Sequence, residues 1–372
     1  MTNVPILRWL DRIIGWIVIL PLWLLTLPFP KAKLEPKRIL VIKLWAMGEG
    51  IVTLPMIRAI KKKHPKAVID VLCTPRVKDV YTGNKDIKNV ISKSITALIF
   101  KIFSRREYDI AIDCEPYLNC SALLAWKLAK RRIGFKHGVR SLLYTDRVKY
   151  NDEQHAVLVY MDLAKKLGIE SVPERLIPLA TTAQDEKKAD KLFQEWGIKK
   201  TDTIVCINPG AAESAKSRTW PAKRFAKVAD ALVKEFIVKI IIVGAKSERP
   251  EAERVAQQMH YNAIVAAGET SVKELAVLLK RCALVISNDT GPVHLAPAMG
   301  TPTIGLYCPN TPVRWAPYGP GNDFVYKPVL PKPCINSHKG QFPECKNHTH
   351  MTLIKSKDVI EKARRMLYAR RH

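Results

Sequence analysis

From residue 38 onward the chain alternates short, nearly unbroken apolar runs with longer stretches in which apolar residues return every three or four positions. An unbroken run bounded by turn residues reads as a strand buried on both faces, and the wider spacing reads as a helix covering it. Strands are predicted at 38–44, 67–72 and 109–113, with helices at 51–63, 120–130 and 152–167. A polar stretch, 181–200, interrupts the alternation, which then starts again. The second half has strands at 203–207, 238–243, 263–265, 283–286 and 303–307, helices at 222–235, 250–259 and 272–280, and a last helix at 357–371. This is parallel α/β architecture written twice. It predicts one doubly wound domain over 36–180, a linker over 181–200 and a second such domain over 201–355. A C-terminal helix, 356–372, is placed to cross back to the first domain. A length of 372 residues is long for one core and agrees with two.

Before residue 36 the pattern changes. The run from 13 to 29 is uncharged and contains Trp16, Trp23 and Phe29, with Arg8 and Arg12 before it and Lys31, Lys33, Lys37 and Arg38 after it. It lies at the short end for a membrane span, and Pro21 and Pro28 would kink or end a simple helix. Spanning, re-entrant and monotopic insertion therefore all stay open. The residues after Phe29 lack the small-residue cleavage site of a signal peptide. We expect residues 1–35 to form an uncleaved membrane-anchoring segment, with 13–29 taking no part in the α/β core. The basic flank would then set the body on the cytoplasmic face.

Charge sharpens this reading. With 61 Lys and Arg against 34 Asp and Glu, the net charge is +27, which calls for a polyanionic neighbour such as an anionic membrane surface or a phosphorylated ligand. A solvated basic surface is the competing reading. Nucleic acid is disfavoured, because the cations are not interleaved with aromatic residues and no recognition motif is present. Eight cysteines in a chain this long do not make a disulfide framework. Cys73, Cys114, Cys206 and Cys282 lie in or beside apolar runs and read as small core residues. Cys334 and Cys345, with His338, His348 and His350, match no compact zinc spacing, and no metal is expected.

The candidate chemistry sits in turns that follow strands. Ser287-Asn288-Asp289-Thr290-Gly291-Pro292-Val293-His294 ends an apolar strand and opens a helix. It puts a carboxylate, a hydroxyl and backbone N–H groups at the carboxyl edge of a sheet, where open α/β sheets bind nucleotides. After the first strand comes Trp45-Ala46-Met47-Gly48-Glu49-Gly50. Its glycines free the backbone for close approach to a ligand, and Glu49 is either a helix cap or a general base. Lys216-Ser217-Arg218-Thr219-Trp220-Pro221 follows the Asn208-Pro209-Gly210 turn and offers cations and hydroxyls suited to a pyrophosphate. Glu248, after the strand ending at Gly244, is either an acceptor for a ribose diol or a solvated helix-terminal acid.

Together these segments resemble glycosyltransferase family 9, the bacterial heptosyltransferases of lipopolysaccharide core assembly. The resemblance covers roughly 38–365 and is most specific at Met47-Gly48-Glu49 with Thr53-Leu54-Pro55, at Ser217-Arg218-Thr219-Trp220-Pro221 and at Asn288 to His294. Arg132-Ile133-Gly134-Phe135 and His155-Ala156-Val157 also match. It implies a GT-B fold, with two Rossmann-like domains facing a cleft, and inverting transfer without a metal from a nucleotide sugar such as ADP-heptose. The acceptor would be a membrane glycolipid of the lipopolysaccharide-core kind, at the cytoplasmic face of the bacterial inner membrane. The family's base falls on Glu49, where an Asp is usual. The donor side falls on Asn208, Ser217, Arg218, Glu248, Asp289, Thr290, Gly291 and His294. On the acceptor side the candidates are Gly48, Asp113, Asn119 and Arg140, although Asp113-Cys114-Glu115-Pro116 departs from the family's Asp-x-Gln-Gly. The rival readings are a non-catalytic binder of a sugar nucleotide or glycolipid, and a Rossmann-type oxidoreductase. The last is disfavoured because no Gly-x-Gly-x-x-Gly follows either first strand.

Overall fold

The computed structural model describes residues 4–25, 35–93, 107–211, 213–328, 335 and 350–371. Phe29, Lys31 and Lys33 of the expected anchor, and Cys334, His338, Cys345 and His348 of the cysteine–histidine cluster, lie outside these. The chain divides into two compact units, with the boundary between Pro173 and Glu174.

The first unit opens with helix α1 (Val4–Leu25). It continues through β1 (Arg38–Ile42), α2 (Met47–Lys63), β2 (Val68–Cys73), a short α3 (Lys78–Tyr81), β3 (Asn89–Ser92) and β4 (Tyr108–Asp113). Helix α4 (Asn119–Leu128), β5 (Ala129–Phe135), β6 (Asp146–Val148) and α5 (Ala156–Lys165) complete it. Its strands form one sheet in the order β3-β2-β1-β4-β5-β6, parallel throughout. Central strands of such a sheet are covered on both faces, and Ile39 to Ile42 of β1 are fully buried.

The second unit contains α6 (Ala183–Glu195), β7 (Ile204–Asn208), α7 (Ala222–Phe236), β8 (Lys239–Ile242), α8 (Arg249–Gln257), β9 (Ala263–Val265) and α9 (Val272–Lys280). After these come β10 (Leu284–Asn288), α10 (Pro292–Ala298), β11 (Thr303–Tyr307), α11 (Pro312–Trp315), β12 (Asp323–Tyr326) and α12 (Ser356–Arg371). Its sheet runs β12-β11-β10-β7-β8-β9 and is also parallel throughout. Counted from its own first strand and read from the β9 edge, this is the 3-2-1-4-5-6 order of the first sheet. Each unit is a Rossmann sheet, and each has one topological switch point, β1/β4 in the first and β7/β10 in the second.

Three expectations need correcting. The segment 181–200 is not a bare linker, since α6 occupies most of it. Thr182 caps that helix reciprocally with Asp185, while Ala189 and Phe193 are buried. Lys188 pairs with Glu274 at 3.2 Å and Asp190 with Arg281 at 2.6 Å, which ties α6 to the second unit. The C-terminal helix does not cross back. Val359, Ala363 and Leu367 of α12 are buried in the core of the second unit. On its polar side Lys362 and Arg365 pair with Asp323, and Arg364 with Glu235. Finally, α1 does take part in the body of the first unit. Ile19 is fully buried among Leu40, Leu118, Ala122 and Leu143, and no described helix is long and apolar enough to cross a membrane.

Candidate active site

The carboxyl ends of β1 and β4 bring together side chains from distant parts of the chain. Lys43, the residue after β1, is fully buried. Its Nζ donates to Glu49 Oε2 at 2.5 Å and to Glu115 Oε1 at 3.0 Å. Glu49 lies in the first turn of α2 with 22% of its side chain exposed, against 2% for Glu115. Tyr160, on α5, reaches Glu49 Oε2 with its hydroxyl at 3.4 Å. Glu115 Oε1 also accepts the backbone N–H groups of Leu44 at 2.6 Å and Trp45 at 3.2 Å. One cation therefore sits between two carboxylates. Burial by itself would lower the Lys43 pKa, but Glu115 and Glu49 outweigh it and hold the ammonium well above its ordinary value. Burial dominates at Glu115 and pushes its carboxyl upward against the opposing pull of Lys43.

Backbone geometry delivers Glu49 to this place. Ala46, just before α2, sits at φ 64°, a region that costs a residue with a Cβ about 1–3 kcal/mol. Gly48 is buried in the same turn. Gly50 serves packing rather than a ligand, since a Cβ there would lie 2.9 Å from Val77 Cγ1 and 3.3 Å from the Tyr81 hydroxyl.

The other acceptor-side candidates are engaged in the interior. Arg140 is 1% exposed and donates to Asp113 Oδ2 at 2.7 Å, Ser121 Oγ at 3.0 Å and the Glu115 carbonyl at 2.5 Å. Asp113 also accepts the Tyr144 hydroxyl at 2.7 Å and the Glu115 N–H at 3.0 Å. Asn119 is bound to α1 through the Asp11 carbonyl, at 3.0 Å. Arg140 and Asp113 brace the turn that carries Glu115, and all three side chains are buried.

In the second unit the residues expected to hold the donor do converge, at the carboxyl ends of β7 and β10. Asn208 Nδ2 donates to Ser287 Oγ at 3.0 Å and Thr290 Oγ1 at 2.7 Å. Arg218 Nη1 donates to the Asp289 carbonyl at 3.0 Å and lies 3.3 Å from its carboxylate. Asn310 Nδ2 donates to the same carboxylate at 2.6 Å. Asn288 locks the two turns together, accepting from Trp220 N at 3.3 Å and donating to the Pro209 carbonyl at 2.7 Å. Ser217 is buried nearby in sequence, and His294, 4% exposed, meets the Trp315 ring edge-on at 6.0 Å. Gly291 precedes α10 with φ −50°, so no left-handed backbone is involved. Glu248 caps its own turn, accepting Ala245 N–H at 2.8 Å. Asn208 Oδ1 and Arg218 Nε are buried with no hydrogen-bond partner among the described residues. Since buried polar atoms are normally paired, a polar ligand at this edge would complete both.

The sequence reading missed Lys43, Glu115 as its partner, Tyr160 and Asn310. Only Lys43 left a signal, as a lone cation ending an apolar strand. Among the described residues no group of His, Cys, Asp or Glu is gathered as metal ligands.

Two parallel Rossmann sheets in tandem, each with polar side chains at its switch point, define the GT-B class. Residues 97–341, more than half of the chain, match the model of glycosyltransferase family 9 (heptosyltransferase), and the chain belongs to that family. It is a glycosyltransferase. The lipopolysaccharide core heptosyltransferase OpsX of Haemophilus influenzae is 25% identical over 296 residues, 76% of this chain and 82% of that one. A family 9 glycosyl transferase from Veillonella parvula superposes with a TM-score of 0.76 at 25% identity, over 90% of this chain and 97% of its own. A structure described as the E. coli ADP-heptose lps heptosyltransferase II gives a TM-score of 0.71 at 21% identity, over 90% of this chain and 100% of its own.

Proposed function

We infer that the chain transfers a heptose, with inversion, from ADP-heptose to a hydroxyl of a lipopolysaccharide-core glycolipid. The observation that carries this is the second unit's switch point, where Asn208, Arg218 and Asp289 converge with two buried polar atoms that have no partner among the described residues. The similarity to heptosyltransferases, one of them described as an ADP-heptose lps heptosyltransferase, supports the donor. In this reading Arg218 and the Ser217 and Thr290 hydroxyls hold the diphosphate, Gly291 leaves it room, and Glu248 and His294 complete the donor side. The acceptor oxygen attacks the anomeric carbon as the bond to the phosphate oxygen breaks. ADP leaves with the electron pair, its charge met by Arg218, and the acceptor's proton passes to the Glu49 carboxylate. The positions of Lys43 and Tyr160 keep that carboxylate in one place. No metal takes part in this scheme.

With a nucleotide donor and a lipid-linked acceptor, we infer that the enzyme works at the cytoplasmic face of the inner membrane. Among the described residues the free thiols of Cys73, Cys114, Cys120, Cys206 and Cys282 suit a reducing compartment. Glu49→Gln tests the chemistry. It should leave ADP affinity unchanged and lower turnover by about 10²–10⁴-fold, the usual contribution of a positioned base. Glu49→Asp should keep part of the activity. Parental turnover in Glu49→Gln would move the base elsewhere.

A further inference from the structure

Helix α1 has two faces with different fates. Along one stripe, Asp11, Gly15, Ile19 and Leu22 turn onto the first unit. The Asp11 carboxylate accepts the backbone N–H groups of Asn119 at 2.9 Å and Cys120 at 2.8 Å. These are among the donors that the start of α4 leaves without an intrahelical partner. At Gly15 the approach is so close that a Cβ would lie 2.2 Å from Asn119 Nδ2. The opposite stripe repeats at helical spacing and stands in solvent, with Ile13 39% exposed, Trp16 53%, Ile17 68%, Leu20 41% and Leu24 74%. Trp23, at 43%, borders it. Large apolar side chains gathered on one face mark an interaction surface.

We propose that α1 is an in-plane membrane helix that lays this stripe into an anionic bilayer surface while its other stripe stays docked on α4. The inference rests on the reading that the acceptor is lipid-linked. Docking settles the orientation. A helix of 22 residues is about 33 Å long, but one that spans must turn its whole circumference to lipid, and here Asp11 to Leu22 lie along a folded α/β domain. An in-plane helix needs only one apolar face, set at the depth of the headgroup and acyl boundary. Tryptophan suits that depth, with an apolar body and a polar N–H. The net charge of +27 identifies the bilayer as anionic. The same charge disfavours a second copy of the chain as the occupant.

Flotation of the full chain with vesicles tests this. Equal parts phosphatidylglycerol and phosphatidylcholine should carry it upward, and phosphatidylcholine alone should carry at least tenfold less. Ile17→Glu/Leu20→Glu, on the exposed stripe, should lose at least tenfold of the flotation while keeping the parent's circular dichroism and ADP affinity. Equal flotation of parent and variant, or none with either vesicle, overturns the proposal. So does a parent that sediments as a dimer without vesicles when the variant is a monomer. A deacylated, water-soluble core acceptor separates this inference from the functional one. Parent and variant should glycosylate it equally. Failure of both on it, with flotation intact, refutes the acceptor assignment and leaves the membrane surface standing.

Discussion

Replacing Lys43 by methionine removes the one positive charge between Glu49 and Glu115 and keeps the volume. Breaking a buried pair by deleting one partner costs about 3–5 kcal/mol, because the remaining charge stays desolvated. The Glu115 half of the cluster meets that condition, at 0% and 2% side-chain exposure. Loss of the Glu49 contact adds little, since that carboxylate is partly solvated. The two backbone N–H groups on Glu115 remain, so a loss of about 3–4 kcal/mol at pH 8 is expected. The pH dependence has a definite sign. Glu115 already has a raised folded-state pKa, and without Lys43 it rises further above the unfolded value of about 4.3. A carboxyl raised in this way contributes its favourable share below the unfolded pKa and loses it as pH climbs through the folded one. The deficit should therefore shrink at pH 5 and grow toward pH 8. Hydrogen exchange of the β1 and β4 amides at both pH values isolates the first unit from the second. Lys43→Met/Glu115→Gln keeps an acceptor oxygen and removes the stranded charge, so it should recover most of the loss. A deficit under about 1 kcal/mol at pH 8, equal deficits at both pH values, or a double variant worse than the single would refute the reasoning.

Other substitutions probe the second unit. Arg218→Ala should weaken ADP binding by about 1–3 kcal/mol in calorimetry, as for charge-assisted contacts with a diphosphate, and unchanged affinity would remove Arg218 from the donor site. Asp323 has a lowered pKa: burial opposes this, but Lys362, the Phe324 N–H and Arg365 prevail. Its stabilising share is present above the unfolded value of about 3.9 and lost as pH falls through the lower folded one. Asp323→Asn should thus cost stability at pH 7 and match the parent near pH 2, as followed by urea unfolding. Ile237 holds φ 55° at the end of α7 and is 88% exposed. Ile237→Gly should raise the stability of the second unit by about 1 kcal/mol, because a β-branched residue is strained there and gains no burial in return.

Strands β1, β2, β4, β7, β8, β10 and β11 were legible because their apolar runs are nearly unbroken, whereas β5, also interior, went unread because Lys130, Arg131 and Arg132 interrupt its run. The edge strands β3, β6 and β12 went unread, since short segments such as Asp146–Val148 carry too few apolar residues to show a period. Helix α6 looked like a linker because only Ala189 and Phe193 of it are buried. That the turns expected on the donor side share one sheet edge was legible because turn residues follow strands at fixed places, and a parallel sheet brings those places together. The Lys43–Glu115 pair could not be read, because the partners are 72 residues apart and only the adjacency of β1 and β4 joins them. The burial of the acceptor-side candidates was unreadable for a similar reason. Asp113 and Arg140 are polar in sequence, and nothing local tells that each is buried by the other.

The docking of α1 also bears on how the protein is made. Asp11 and its partner Asn119 are 108 residues apart. At roughly 5–20 residues per second of synthesis, the surface that receives α1 leaves the ribosome about 5–20 s after the helix does. For that interval the stripe that will meet α4 and the stripe that stays outside are both uncovered. The nascent chain then presents an apolar segment with no folded domain behind it, at the stage when chaperones, targeting factors and the membrane itself compete for such segments. Whichever binds first determines what surrounds the first unit as it closes.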